Sequence, residues 1–207
     1  MNLLKLKQAQ EAFYSIYPQG FDSHEMIKMG RRHNMNKIVP FAQSAFTKEN
    51  IKDVEETAEN MIRLISRSSM VSLFEKPKFR DAVRGMDMME KTQLVHSLDM
   101  LLHGDEEKGF NLMLDVLTRH QIAKWTLISA FRCYLYPDTD FLFKPTTVKN
   151  IIKTFELEGL TYKPRPSYEF FVKYRDVINE MKTHVDENLK PSAAAFCGFL
   201  MMAMELL

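Results

Sequence analysis

A chain of 207 residues with a formal net charge of +1, 27% charged and 45% hydrophobic residues has room for one sizeable core and the make-up of an ordinary soluble globular protein. So balanced a charge excludes a strongly basic nucleic-acid-binding tail or arm and leaves only a local basic patch. Fifteen Met and fifteen Phe beside seven Gly suit a helical core filled by large, adaptable side chains, with a Met-rich partner surface as the alternative.

From Leu3, the residues Leu6, Ala9, Phe13 and Ile16 keep helical spacing until Pro18 and Gly20 stop it. The polar Gln8-Ala9-Gln10-Glu11 stands where a secretory leader needs an apolar run. Asp22 or Ser23 caps a second helix, closed by the positive Arg31-Arg32-His33. A short third helix carries Ile38, Ala42 and Phe46 with Pro40 in its first turn, and Thr47 is the expected cap of a longer one through Ile51, Ala58, Ile62 and Ile65.

Ser66-Arg67-Ser68-Ser69 interrupts this periodicity as a helix end with capping serines, and Phe74 and Phe79 are expected to anchor the following basic turn to the core. An amphipathic helix from Met86 to Leu102 ends at Gly104, and Asp105-Glu106-Glu107 opens the next. The segment from Ala123 to Tyr136 is apolar on most faces and so central. Pro145 opens a helix running to Leu157 with Gly159 as its cap, Ser167 starts a long helix, and Pro191-Ser192 introduces the terminal one. No segment alternates on the strand period. The fold class is therefore all-α, an irregular multi-helix bundle of about ten helices in one domain, with lobes expected at about residues 1–85 and 86–207.

The apolar stretch from Ala193 to Leu207 is shorter than the roughly 20 residues of a spanning helix, so it reads as a buried terminal helix in a protein without a membrane partner. Cys133 and Cys197 lie in apolar surroundings without CxxC spacing. They read as reduced core residues of a cytoplasmic protein.

Six histidines, at positions 24, 33, 96, 103, 120 and 184, include no pair at the spacing of two metal ligands on one helix face, and no metal or cofactor is expected. The chain has no HExxH, GxSxG, GxxxxGK[ST] or GxGxxG, which argues against the common hydrolase, nucleotide-triphosphatase and dinucleotide classes. The basic bias is local. Between Phe141 and Arg175 stand Lys144, Lys149, Lys153, Lys163, Arg165, Lys173 and Arg175 against Glu156, Glu158 and Glu169, seven to three. Lys149 and Lys153 share a helix face, and the first-turn amides and hydroxyls of Thr146 and Thr147 can donate to a phosphate oxygen.

Three segments in this region, Lys124-Trp125-Thr126-Leu127, Lys144-Pro145-Thr146-Thr147 and Tyr162-Lys163-Pro164-Arg165-Pro166-Ser167-Tyr168, come in an order that resembles the second half of the helix-hairpin-helix DNA glycosylases, particularly the alkylated-base branch. In that family a hairpin leads into Trp-Thr-Ala, a proline-aspartate segment opens a later helix, and a Trp-Lys-Pro-Trp-Arg-Ser-Tyr-like segment precedes a late one. The chain departs from the pattern twice. The hairpin Arg119-His120-Gln121-Ile122-Ala123 has no glycine for close backbone approach, and the catalytic aspartate falls at Thr147 or Thr146, where no negative charge is available. The resemblance thus implies a glycosylase-like scaffold that binds DNA or another phosphate-bearing ligand around Lys124, Trp125, Thr146, Thr147, Lys149, Lys163 and Arg165, with catalysis unassigned. The alternative expectation is a non-catalytic interaction or regulatory protein that forms a homodimer through the apolar helix from Gly198 to Leu207.

Overall fold

A computed structural model describes every residue from Met1 to Leu207. It contains α-helices and three short 3-10 turns with no strand: α1 (Leu3–Ile16), α2 (His24–His33), α3 (Met35–Ala45), α4 (Val54–Arg67), α5 (Glu75–Gly85), α6 (Met88–His103), α7 (Glu106–Arg119), α8 (Trp125–Leu135), α9 (Pro145–Thr154), α10 (Tyr168–Lys182) and α11 (Ala193–Met204). The all-α irregular bundle matches the periodicity. No helix is long and apolar enough to cross a membrane.

Side-chain caps fix many of the starts. Asn2, Asp53, Asp87, Asp105 and Ser192 each accept from the amide three residues on, at the heads of α1, α4, α6, α7 and α11. Thr47, expected to open α4, instead caps a 3-10 turn by accepting from the Asn50 amide at 3.2 Å, because Asp53 supplies a carboxylate closer to the apolar stripe. Pro40 lies inside α3 rather than in its first turn. Ser68 ends α4 as a cap: its hydroxyl meets the Tyr134 hydroxyl at 2.6 Å and accepts from the amides of Met70 and Val71. Ser72 and Glu75 form a reciprocal capping box at the start of α5. Phe79 is fully buried, whereas Phe74 is 82% and Leu73 80% exposed. The anchoring expected of Phe74 therefore falls to Phe79 alone.

The α7–α8 hairpin obtains its left-handed turn without glycine. Gln121 takes φ +57° at the position after the α7 cap, its amide donates to Thr118 at 3.0 Å, and the Ile122 amide reaches back to Leu117 at 2.9 Å. This is a Schellman closure, with buried Ile122 against buried Leu117. A non-glycine residue in this region costs roughly 1–2 kcal/mol, and glycine gives back about 0.5–1 kcal/mol through the freedom of the unfolded chain. Gln121→Gly is expected to stabilise the fold by about 0.5–1 kcal/mol in urea titrations. A destabilised variant would count against this turn geometry. The end of α9 uses the same conformation at Glu156, φ +52°, ahead of Gly159 at +72°, so Glu156 and not Gly159 closes that helix.

α6 and α7 form the tightest helix hairpin, α3 and α4 cover α8, and α11 lies between α1 and α9. One contiguous cluster of 57 buried apolar residues runs through them, from Leu6 to Ala203. At its centre Trp125 stacks on Phe143 with centroids 5.4 Å apart, and Phe143 stacks on Phe141 at 5.1 Å. Burial in this core pushes the Cys133 thiol up to about 12 from 9.0. The unfolded thiol releases its proton near pH 9 while the folded one retains it to about 12. Stability therefore falls as pH rises through that window, by up to about 1.4 kcal/mol per unit from this group. Cys133→Ala is expected to flatten that fall in urea titrations across the same window.

Candidate functional site

The segments singled out in the sequence meet around one aromatic pair. Trp125, at the first position of α8, is 2% exposed and donates through Nε1 to the Lys163 carbonyl at 2.8 Å. Its ring is enclosed and cannot stack on a ligand. What it does is hold the linker between α9 and α10 against the head of α8. Tyr162, half-buried on that linker, lies 6.4 Å from Trp125, and Lys149 Nζ stands 5.8 Å from the Tyr162 ring. The structure thus brings Lys124, Lys149 and Lys163 to one face, with Arg165 two residues further along the same linker and Thr146 one turn before Lys149.

The cations of this face are mostly free of ion pairs, as are most Lys and Arg in the chain. Lys124, Lys149, Lys153, Lys163 and Arg165 are exposed and Lys144 half-buried, and none takes part in an ion pair. The other two cations of the local excess are already engaged: Lys173 with Glu169 at 2.8 Å, and Arg175 in a buried network. The head of α9, begun by Lys144, carries no side-chain cap, so the amides of its first turn keep free donors, whereas the head of α8 is buried and its Thr126 donates to Glu75 at 2.9 Å.

Thr147 belongs elsewhere. Its Oγ1 is 3.9 Å from Met201 Sδ, and it lines an apolar cleft between α2 and α11 rather than the basic face. No Asp or Glu lines that cleft. Asp138 is exposed, with its carbonyl accepting from Lys182. Asp140 is 2% exposed and held by Arg132, with Nε–Oδ1 2.8 Å and Nη2–Oδ2 3.1 Å, and by Arg175 at 3.1 Å. Glu106 completes this network at 3.1 Å from Arg132 and 2.8 Å from Arg175. The latter contact is an ion pair without hydrogen-bond geometry at Oε1. Asp140 and Glu106 are thus structural partners of arginine.

α11 uses its own apolar faces within the chain: Ala193, Phe196, Phe199, Leu200 and Ala203 are buried, while Met201 stays partly exposed at the cleft. Sequence reasoning missed Lys144, which counted toward the basic excess but sits between the cleft and a second, open depression lined by Ser69 to Lys76 and Thr126. Its place depends on the fold of the Phe141–Phe143 connector, for which spacing gives no signal.

Fold and site together define an all-helical protein with a local cluster of cations that form no ion pair. Comparison with protein-family models, curated proteins and solved structures finds no match.

Proposed function

We propose that this face binds a phosphate-bearing polyanion, DNA in the first instance, on a glycosylase-like scaffold with no assigned reaction. The observation that carries the reading is the gathering of Lys124, Lys149, Lys163 and Arg165 around Trp125 and Tyr162 without a single carboxylate partner. Cations left unpaired beside the uncapped head of α9 suit phosphate oxygens, which fix position on a backbone without reading sequence. The absence of a carboxylate from the cleft beside Thr147 turns the reading toward binding and away from base excision.

Duplex affinity measured across a salt series tests it. Log affinity against log salt is expected to fall with a slope of about −0.9 for each phosphate neutralised, so about −4 for four contacts. Lys149→Glu with Lys163→Glu is expected to reduce that slope by about 2 and to weaken binding equally across unrelated sequences. Absence of binding at low salt would sink the reading. An unchanged slope in the double variant would move the contact away from this face.

A further inference from the structure

The cleft beside Thr147 is a second site, which shares only Lys144 with the basic face. It is a cavity of about 360 Å³ between α2 and α11, floored by Phe141 and Leu142 of the connector. Of its 20 lining residues 13 are hydrophobic, and Met26, Met29, Met35, Met70, Met201 and Met202 are among them, six of the fifteen methionines in the chain. Flexible, polarisable thioethers adapt to an apolar guest of variable shape. The volume lies in the small-molecule range, about 300–1,000 Å³.

Two glycines stand in the lining. Gly30 in α2 and Gly198 in α11 both line the cleft, have ordinary helical backbone, and would place a Cβ with nothing within 4 Å. Glycine inside a helix costs about 0.5–1 kcal/mol against alanine. Gly109, by contrast, is required by close helix contact, and Gly20 and Gly159 by positive φ. Nothing in the packing around Gly30 and Gly198 requires the missing side chain.

The polar groups are few and one-sided in charge. Lys144, which has no ion pair, and His33 face the cleft, and Thr147 follows one turn along α9. His33 accepts from or donates to Ser69 at 2.9 Å, and its pKa is held below the usual imidazole value by burial and by Lys144. With no acidic residue in the lining, the ammonium of Lys144 is the only fixed charge.

We propose that the cleft between α2 and α11 binds a single-chain amphiphile, a hydrocarbon of about ten carbons bearing an anionic head that pairs with Lys144. The cavity bounds the length: at about 30 Å³ for each methylene-sized group, about 360 Å³ takes about twelve such groups, about ten for the chain and the rest for the head.

Titration of the full chain with decanoate, decyl phosphate and decanol, each below its aggregation threshold, tests this by calorimetry. Both anions are expected to saturate one site, and decanol to bind about tenfold more weakly, as does decanoate with Lys144→Met. The stronger of the two anions identifies the head as carboxylate or phosphate. Gly198→Leu and Gly30→Leu fill the cleft from opposite walls and are each expected to abolish binding while the helical circular dichroism and melting are retained. Two variants guard against one of them failing to fold. Saturable binding by neither anion, equal affinity for decanol, or undiminished binding in a folded Leu variant would each overturn the proposal. So would a stable dimer in sedimentation that covers α11. Duplex binding is read separately, so its failure leaves this outcome untouched.

Discussion

Gly109→Ala is expected to lower stability by about 3–5 kcal/mol, above the ordinary 1–3 kcal/mol of overpacking. A Cβ at this position of α7 would stand 2.1 Å from the Leu101 nitrogen and 2.6 Å from the Leu101 Cα and the Met100 carbonyl carbon. All three atoms are backbone of α6, so no rotamer change relieves the contact and the helices have to separate. Separation also carries away the Leu101 and Leu102 carbonyls, which accept from Arg132 at 3.1 Å and from Tyr136. Loss of those bonds extends the damage from the hairpin to α8. Urea unfolding provides the measurement, and Gly85→Ala provides the control, because a Cβ there meets nothing within 4 Å. The control is expected to be neutral or stabilised by up to about 1 kcal/mol. A Gly109→Ala variant within 1 kcal/mol of the parent, on the scale of a mild overpacking change, would rule out so close a helix contact.

Gly109 also shows where sequence reasoning stops. Within the pattern of Phe110, Met113, Leu114 and Leu117 a glycine reads as a weak point in an amphipathic helix, and only the approach of Leu101 from α6 gives it a purpose. Helix positions were legible because they depend on local spacing, and so were the caps at Asp105 and Ser192, whose partners lie three residues away. The candidate face was legible in part. Lys149 and the linker carrying Lys163 come near Tyr162 and Trp125, but Trp125 serves by burying its ring and Thr147 turns to the other side of α9. A count of charges along the chain cannot separate Lys163, which is free, from Arg175, which is committed to Asp140 and Glu106. The cleft was illegible because α2, the connector and α11 supply its walls from distant parts of the chain. The methionines on it share the residue type of ordinary gap-fillers such as Met61 and Met113, both fully buried.

The committed arginines give the second large effect. Asp140→Ala is expected to cost about 3–5 kcal/mol, because removing one partner of a buried ion pair leaves the other charge uncompensated. Asp140 accepts a two-pronged grip from Arg132, a bond from Arg175 and one from the Thr139 hydroxyl at 2.8 Å. The two guanidinium side chains are 12% and 14% exposed, too enclosed for water to replace the lost carboxylate. Without it they share Glu106 alone, across α7, α8 and α10. Asp140→Asn keeps the volume and an acceptor oxygen, so a loss close to that of the alanine variant assigns the cost to charge, and a much smaller one assigns it to packing and hydrogen bonding. Arg175→Met on its own is expected to destabilise, since it removes the pairs with Asp140 and Glu106 and the guanidinium stacked 5.0 Å from the Phe171 ring. Combined with Asp140→Ala it is expected to fall short of the sum of the two single losses by about 1–3 kcal/mol, the coupling of groups in one network. Strict additivity in that double-mutant cycle would mean that Asp140 and Arg175 act separately rather than tying the connector before α9 to α8 and α10. Because the connector carries Phe141, Leu142 and Lys144 to the floor and rim of the cleft, the same loss is expected to reach the cleft as well as the fold.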